Sequence, residues 1–148
     1  MTHYPDLSPE TMVDAGSHVR AIGWLDKAHL FTTGSCTDAF LNKLRKFSER
    51  CNESTRAMGW GVFAGFHRCE LCHGSTGTHN FAVPANDLLY VAPELIVHYI
   101  DQHEYLPPDE FIAATLDAPL PGTKKYEKLT APFREFYRQY RENRMKEM

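Results

Sequence analysis

The sequence predicts an α+β domain in which a small antiparallel sheet is flanked by three to four helices. Three observations lead there. Short apolar runs rich in glycine, aromatic and β-branched residues, VRAIGWL (19–25), GWGVFAGF (59–66) and FAVPANDLLYV (81–91), read as strands. Segments near 38–51, 93–104 and 131–148 carry apolar residues at three- and four-residue steps and read as helices. The central strand run ends in Cys69-Glu70-Leu71-Cys72, a spacing that puts two thiols on one side of a tight turn.

Taken in order, residues 1–18 are polar, contain Pro5 and Pro9, and read as an irregular arm ahead of a single domain spanning 19–148. VRAIGWL opens the sheet, and DKAHLFTTGS follows as a loop. Thr37 or Ser35 can cap a helix from Asp38 to Cys51, with Phe40, Leu41, Leu44, Phe47 and Cys51 on its buried face. GWGVFAGF is a strand whose glycines permit close approach or a bulge. CHGSTGTHN (72–80) reads as a loop by composition, and 81–91 as two strands about a turn at 84–87. Pro93 suits the first turn of a helix over 93–104, where Glu94 would favour the positive end. Pro107 and Pro108 stop it, and Pro108-Asp109-Glu110 starts a short helix through Leu116. DAPLPGT (117–123) is a connector. Thr130 and Pro132 open the last helix, whose stripe Phe133, Phe136, Tyr137 and Tyr140 is expected to pack on the domain. RAIGW (20–24) and RAMGW (56–60) match over five residues only, so no repeat is inferred.

The composition bounds the function. With 148 residues, 43% of them hydrophobic and 24% charged, the chain can bury one core. A net charge of −3 argues against a phosphate-backbone binder. No apolar run reaches membrane-spanning length, and MTHYPDLSPETM lacks the basic-then-apolar pattern of a leader. The expected location is cytoplasmic, where four cysteines serve as ligands or core residues rather than disulfides.

Two histidines complete a metal-ligand set. A helix bearing His98 and His103 follows the Cys69/Cys72 turn, and H-x₃₋₅-H with C-x-x-C is the donor pattern of tetrahedral zinc. The predicted ligands of one Zn2+ are therefore Cys69, Cys72, His98 and His103, with His67, His73 and His79 as substitutes. A regular helix turns positions 98 and 103 about 140° apart, so its last turn must tighten or unwind for both to bind. A thioredoxin-like pair would need a helix straight after the second cysteine, where a Gly/Ser/Thr loop stands instead. Both cysteines as plain core residues is the other alternative. Cys36 and Cys51 read as apolar, and His3, His18 and His29 as surface residues.

These positions resemble the C2H2 zinc finger through Cys69, Cys72, Leu95, His98 and His103, but 25 residues separate Cys72 from His98. That spacer is about double a nucleic-acid-binding finger's, so the resemblance implies the coordination rather than DNA reading. The chain also resembles a family of small uncharacterised bacterial proteins through GWLDKAHLFTTG (23–34), FHRCELC (66–72) and YVAPELIVHYIDQHEYLPPDEF (90–111). That resemblance implies the domain and its metal, and no reaction.

A closed Cys₂His₂ shell leaves no water position, which favours a structural ion and a protein-interaction module over an enzyme. The candidate binding face is 26–34 with 104–111. A hydrolase would need His103 turned away, leaving an open position with Glu70, Glu94 or Glu104 as base. A nuclease would use His79-Asn80. A nucleic-acid module would stack bases on Trp24, Trp60, Phe63 and Phe66 beside Arg20, Arg56 and Arg68.

Overall fold

A computed structural model describes residues 3–10, 18–53 and 62–146. Its elements are β1 (Val19–Ala21), α1 (Asp38–Glu53), β2 (Val62–Arg68), β3 (Thr76–Pro84), β4 (Leu89–Pro93), α2 (Ile96–His103), α3 (Asp109–Asp117) and α4 (Lys124–Lys146). The four strands lie in the order β1-β4-β3-β2. The α+β expectation holds, and the sheet is mixed: β2–β3 and β3–β4 are antiparallel, while β1 joins β4 in parallel with Val19 opposite Leu89 and Ala21 opposite Val91.

Local chemistry accounts for most boundaries. The Thr37 hydroxyl accepts the Phe40 N–H at 3.2 Å and caps α1, whose Phe40, Leu44 and Phe47 are fully buried. The side chain of Cys51 and those of Phe63, Phe66, Phe136, Tyr137 and Tyr140, together with Arg56 and Trp60, lie outside the described residues. The predicted turn closes β3 onto β4 with Ala85 N–H donating to Leu88 O.

Several boundaries differ from expectation. Pro93 does not open a helix: it pairs opposite Asn80 as the last residue of β4, and α2 starts at Ile96. Three others have a local physical reason. The first strand stops at Ala21 because Gly23 turns left-handed, with φ +76°. β3 begins at Thr76, inside the stretch read as loop. Gly77 is buried there because a Cβ would sit 3.2 Å from Glu94 Cβ and 3.3 Å from Leu95 Cγ, so it marks close approach within a strand. The last helix starts at Lys124 rather than near 131, because Thr123 Oγ1 accepts the Tyr126 N–H and caps it; Pro132 lies within it. Tyr126, Thr130 and Phe133 form its described buried stripe.

Trp24 is fully buried and its indole N–H donates to Val91 O at 3.0 Å, so it is a core residue and offers no stacking surface. Residues 3–8 lie along the same region. Tyr4 bridges Trp24, and Leu7 N–H donates to Ala21 O at 2.7 Å. The two carboxylate oxygens of Asp6 accept from Gly23 N–H and from the hydroxyl of fully buried Tyr105. Burial, then the Asp6 charge, holds that hydroxyl far above its ordinary pKa, so it remains a donor.

Gly23 and Gly122 make a controlled pair. Both have positive φ, but a Cβ on Gly23 would lie 2.7 Å from Ile96 Cγ1, whereas one on Gly122 meets nothing within 4 Å. Gly122→Ala should cost only the left-handed penalty of about 1–2 kcal/mol. Gly23→Ala adds overpacking, for a total of about 2–5 kcal/mol. Denaturant melts of the two variants check the difference, and equal losses would mean that the Ile96 contact yields freely.

A candidate metal centre

Cys69 follows the last residue of β2, and the chain turns back within six residues to start β3. Cys69 N–H donates to Ser75 O at 2.9 Å, and His73 N–H, in a left-handed residue with φ +58°, donates to Cys69 O at 2.8 Å. Gly74 N–H points at Cys72 Sγ, 3.3 Å away. The turn thus holds both sulfurs on the side that faces α2.

α2 supplies the histidines. Cys69 Sγ lies 3.5 Å from His103 Nε2, and Cys72 Sγ lies 3.3 Å from His98 Nε2. The two imidazole rings are 5.0 Å apart at 76°. All four donor atoms fall within 4.8 Å of one another. Tetrahedral zinc, with thiolate bonds of about 2.3 Å and imidazole bonds of about 2.0–2.1 Å, spaces sulfur and nitrogen ligands about 3.5 Å apart. The donor set and its spacing therefore fit one tetrahedral ion, and the sequence-predicted quartet is brought together.

The helix end meets the five-residue spacing by widening. Glu104, left-handed at φ 55° and ψ 25°, donates its N–H to Tyr99 O, five residues back rather than four. Tyr105 N–H donates to the same carbonyl at 3.2 Å. A turn closed over five residues brings position 103 round toward position 98.

The centre sits at an edge. Cys69 is fully buried, His98 and His103 are half-buried, and Cys72 is exposed. Desolvation, then the neighbouring His103, lowers the His98 pKa, which favours the neutral imidazole that ligates. Desolvation pushes the Cys69 thiol up, against the pull of the Cys72 and Leu71 N–H groups. A cation held there would have to displace the Cys69 proton, so loading should release protons and metal affinity should rise with pH. Each thiol proton released adds about tenfold in affinity per pH unit through the neutral range. Chelator competition from about pH 6 to pH 8 checks this, and a flat profile would remove Cys69 from the ligand set.

The substitute histidines lie elsewhere. His67 is half-buried in β2 and His73 is exposed. His79 is 1% exposed, with Nε2 3.2 Å from Ser48 O and Nδ1 2.9 Å from Glu94 Oε2. The latter contact is close but poorly aligned as a hydrogen bond. Glu94 also accepts the Thr78 N–H at 3.0 Å. Glu94 precedes α2 and ties β3 to it, instead of sitting in the first turn of the helix. With Asn80 at 4% exposure, neither residue of the His79-Asn80 pair is presented as a nuclease site.

Two features were not read from the sequence. An open groove of about 850 Å³ runs beside the centre, between its Cys72, His98 and His103 edge and Arg45, Ser48 and Glu49 of α1, with Glu94 among its lining. The second is a cluster of His3, Asp26 and His29. Its rings stack 3.9 Å apart and 4° from parallel, so their in-plane lone pairs cannot both aim at one ion. His3 Nδ1 donates to Trp24 O at 2.8 Å, while Asp26 accepts the backbone and ring N–H of His29. Burial alone would raise the Asp26 carboxyl; the His29 and His3 contacts outweigh it and hold it below its ordinary value. The cluster pins the chain start to the 26–34 loop. Spacing across 23 residues of sequence carries no signal for such a contact.

Among the described residues, no helix is long and apolar enough to cross a membrane. The chain belongs to the DUF7919 family, a domain of unknown function, which matches residues 2–116. The match takes in all four candidate ligands and ends within α3, ahead of α4. Neither a curated protein nor a solved structure matches the chain.

Proposed function

We propose that this DUF7919 domain is a zinc-stabilised recognition module, in which Cys69, Cys72, His98 and His103 hold one structural Zn2+ and a face beside the helix end binds a protein partner. The observation that carries the metal assignment is the crosswise pairing of the two sulfurs with the two Nε2 atoms at 3.5 and 3.3 Å. Four protein donors saturate tetrahedral zinc, and two thiolates neutralise its charge, which leaves a weak Lewis acid with no water site. The ion would join the β2–β3 turn to α2, so binding free energy becomes folding free energy.

Support for the recognition face comes from two segments far apart in sequence. Thr33 bridges Tyr105, Gly34 N–H donates to Glu104 O at 2.9 Å, and Leu106 N–H donates to Thr32 O at 2.9 Å. Residues 26–34 and 104–111 therefore form one surface. On it Leu30 is completely exposed, beside a groove of about 620 Å³ lined by Tyr4, Leu25 and Phe31. An apolar side chain held wholly in solvent on a pinned loop suits a protein contact.

Native mass spectrometry of protein purified without added zinc tests the metal assignment. One zinc per chain is expected, and an absence of metal under conditions that spare weak sites would sink it. Leu30→Asp tests the face: it should abolish partner capture with metal content and melting temperature unchanged. A hydrolase is the second reading, favoured by the groove along the Cys72–His98–His103 edge with Glu94 in its wall. It requires zinc to persist in a stably folded His103→Ala protein.

A further inference from the structure

We infer that metal occupancy of the Cys69–Cys72–His98–His103 centre controls the order of the recognition face and of the 3–8 segment, through the three residues that follow the last ligand. This rests on the proposed metal centre and assigns its regulation.

His103 is the last residue of α2, and the connections begin at the next residue. Glu104 donates to Tyr99 O and accepts from Gly34 N–H. Tyr105 is fully buried, bridges Thr33, and donates its hydroxyl to Asp6 Oδ2 at 2.7 Å. The other oxygen of Asp6 accepts the Gly23 N–H at 3.0 Å. Leu106 N–H donates to Thr32 O, and the Leu106 side chain packs so closely on Gly34 that a Cβ there would lie 2.9 Å from its Cδ2. The bonds that tie residues 32–34 to the helix end thus start within three residues of a ligand, and Asp6 extends the chain of contacts to the N-terminal segment.

Glu104 is the bistable element. A left-handed conformation at a residue other than glycine is disfavoured and persists only where its surroundings hold it. With His103 drawn to the ion opposite Cys69, the last turn stays wide and Glu104 stays left-handed. With His103 released, the turn can return to ordinary winding, which swings 104–106 off 32–34 and takes the Tyr105 hydroxyl from Asp6. Coupling of this kind is reciprocal: contacts that depend on the ion must strengthen its binding by the same factor.

Reciprocity gives a test in loaded, folded protein. Zinc affinity is measured by chelator competition for the wild type, Tyr105→Phe and Tyr90→Phe. Tyr105→Phe deletes only the hydroxyl that reaches Asp6. Tyr90→Phe deletes a comparable bond, from the hydroxyl to Glu110 Oε2 at 2.9 Å, away from the centre. The expected result is at least a fivefold loss of zinc affinity for Tyr105→Phe, with Tyr90→Phe within twofold of wild type. Equal affinities in all three proteins, or equal losses in both variants, would overturn the coupling and leave the metal centre standing. Failure of the wild type to bind zinc would overturn both.

Discussion

Cys69→Ser should strip the chain of zinc and unfold most of it at room temperature. Cys69 is the buried corner of the centre: its sulfur faces His103 at 3.5 Å, and its backbone closes the β2–β3 turn through Ser75 and His73. Serine preserves the size and the backbone bonds, so the change isolates ligation. Structural zinc contributes about 10–16 kcal/mol to folding in small metal domains, comparable to the whole stability of a typical domain, about 5–15 kcal/mol. Weakening that binding by even half exceeds the effect of an ordinary core truncation, about 2–5 kcal/mol. Circular dichroism and metal content, measured together, check this. A metal-free Cys69→Ser protein with the melting temperature of the wild type would show that the cluster does not stabilise the fold. Cys72→Ser should lose metal too. Its own side chain is exposed, so any loss of stability there reports the ion rather than packing.

The second large effect is at Glu94. Were it only a favourable charge near a helix start, Glu94→Ala would cost about 0.3–1 kcal/mol. The structure instead sets its carboxylate against the Nδ1 of buried His79 and under the Thr78 N–H. Removing the carboxylate leaves the Thr78 N–H without its acceptor and the buried His79 Nδ1 without its neighbour, a loss of about 2 kcal/mol. For a chain of this size that lowers the melting temperature by about 4–8 °C. Replacing both residues, as His79→Leu with Glu94→Leu, should recover part of the loss, because the buried imidazole leaves with its neighbour while Thr78 N–H and Ser48 O still lose their partners. A Glu94→Ala shift under about 2 °C would restore the helix-end reading.

That contrast shows where the sequence was legible. α1, α3 and the β3–β4 turn follow local rules: a threonine cap, a proline start, a Pro-Ala-Asn-Asp break. The meeting of Cys69, Cys72, His98 and His103 was legible because metal donors of the right types stand at ligand spacings, and the widened turn at Glu104 is the departure that their spacing demanded. Gly77 misled because a glycine signals a loop and a tight contact alike, and only the position of Leu95 distinguishes them. Glu94 misled because its partner, His79, stands fifteen residues earlier on a different element. Thr123 was passed over in favour of Pro132, the louder helix-start signal. The parallel pairing of β1 and the stacking of His3 on His29 depend on tertiary contacts that no local window contains.

The parallel β1–β4 pairing also fixes an order of events during synthesis. β1 and the arm emerge from the ribosome early, but their sheet partner, Leu89–Pro93, is made about 70 residues later. The two thiols likewise precede the first imidazole by 26 residues, a wait on the order of 1–5 s at roughly 5–20 residues per second. The nascent chain must carry β1 without its partner until β4 is made, and two sulfurs without the imidazoles they face until α2 is complete. Closure then follows in quick succession: His103 meets Cys69, and two residues later Tyr105 meets Asp6, which has waited 99 residues for that partner.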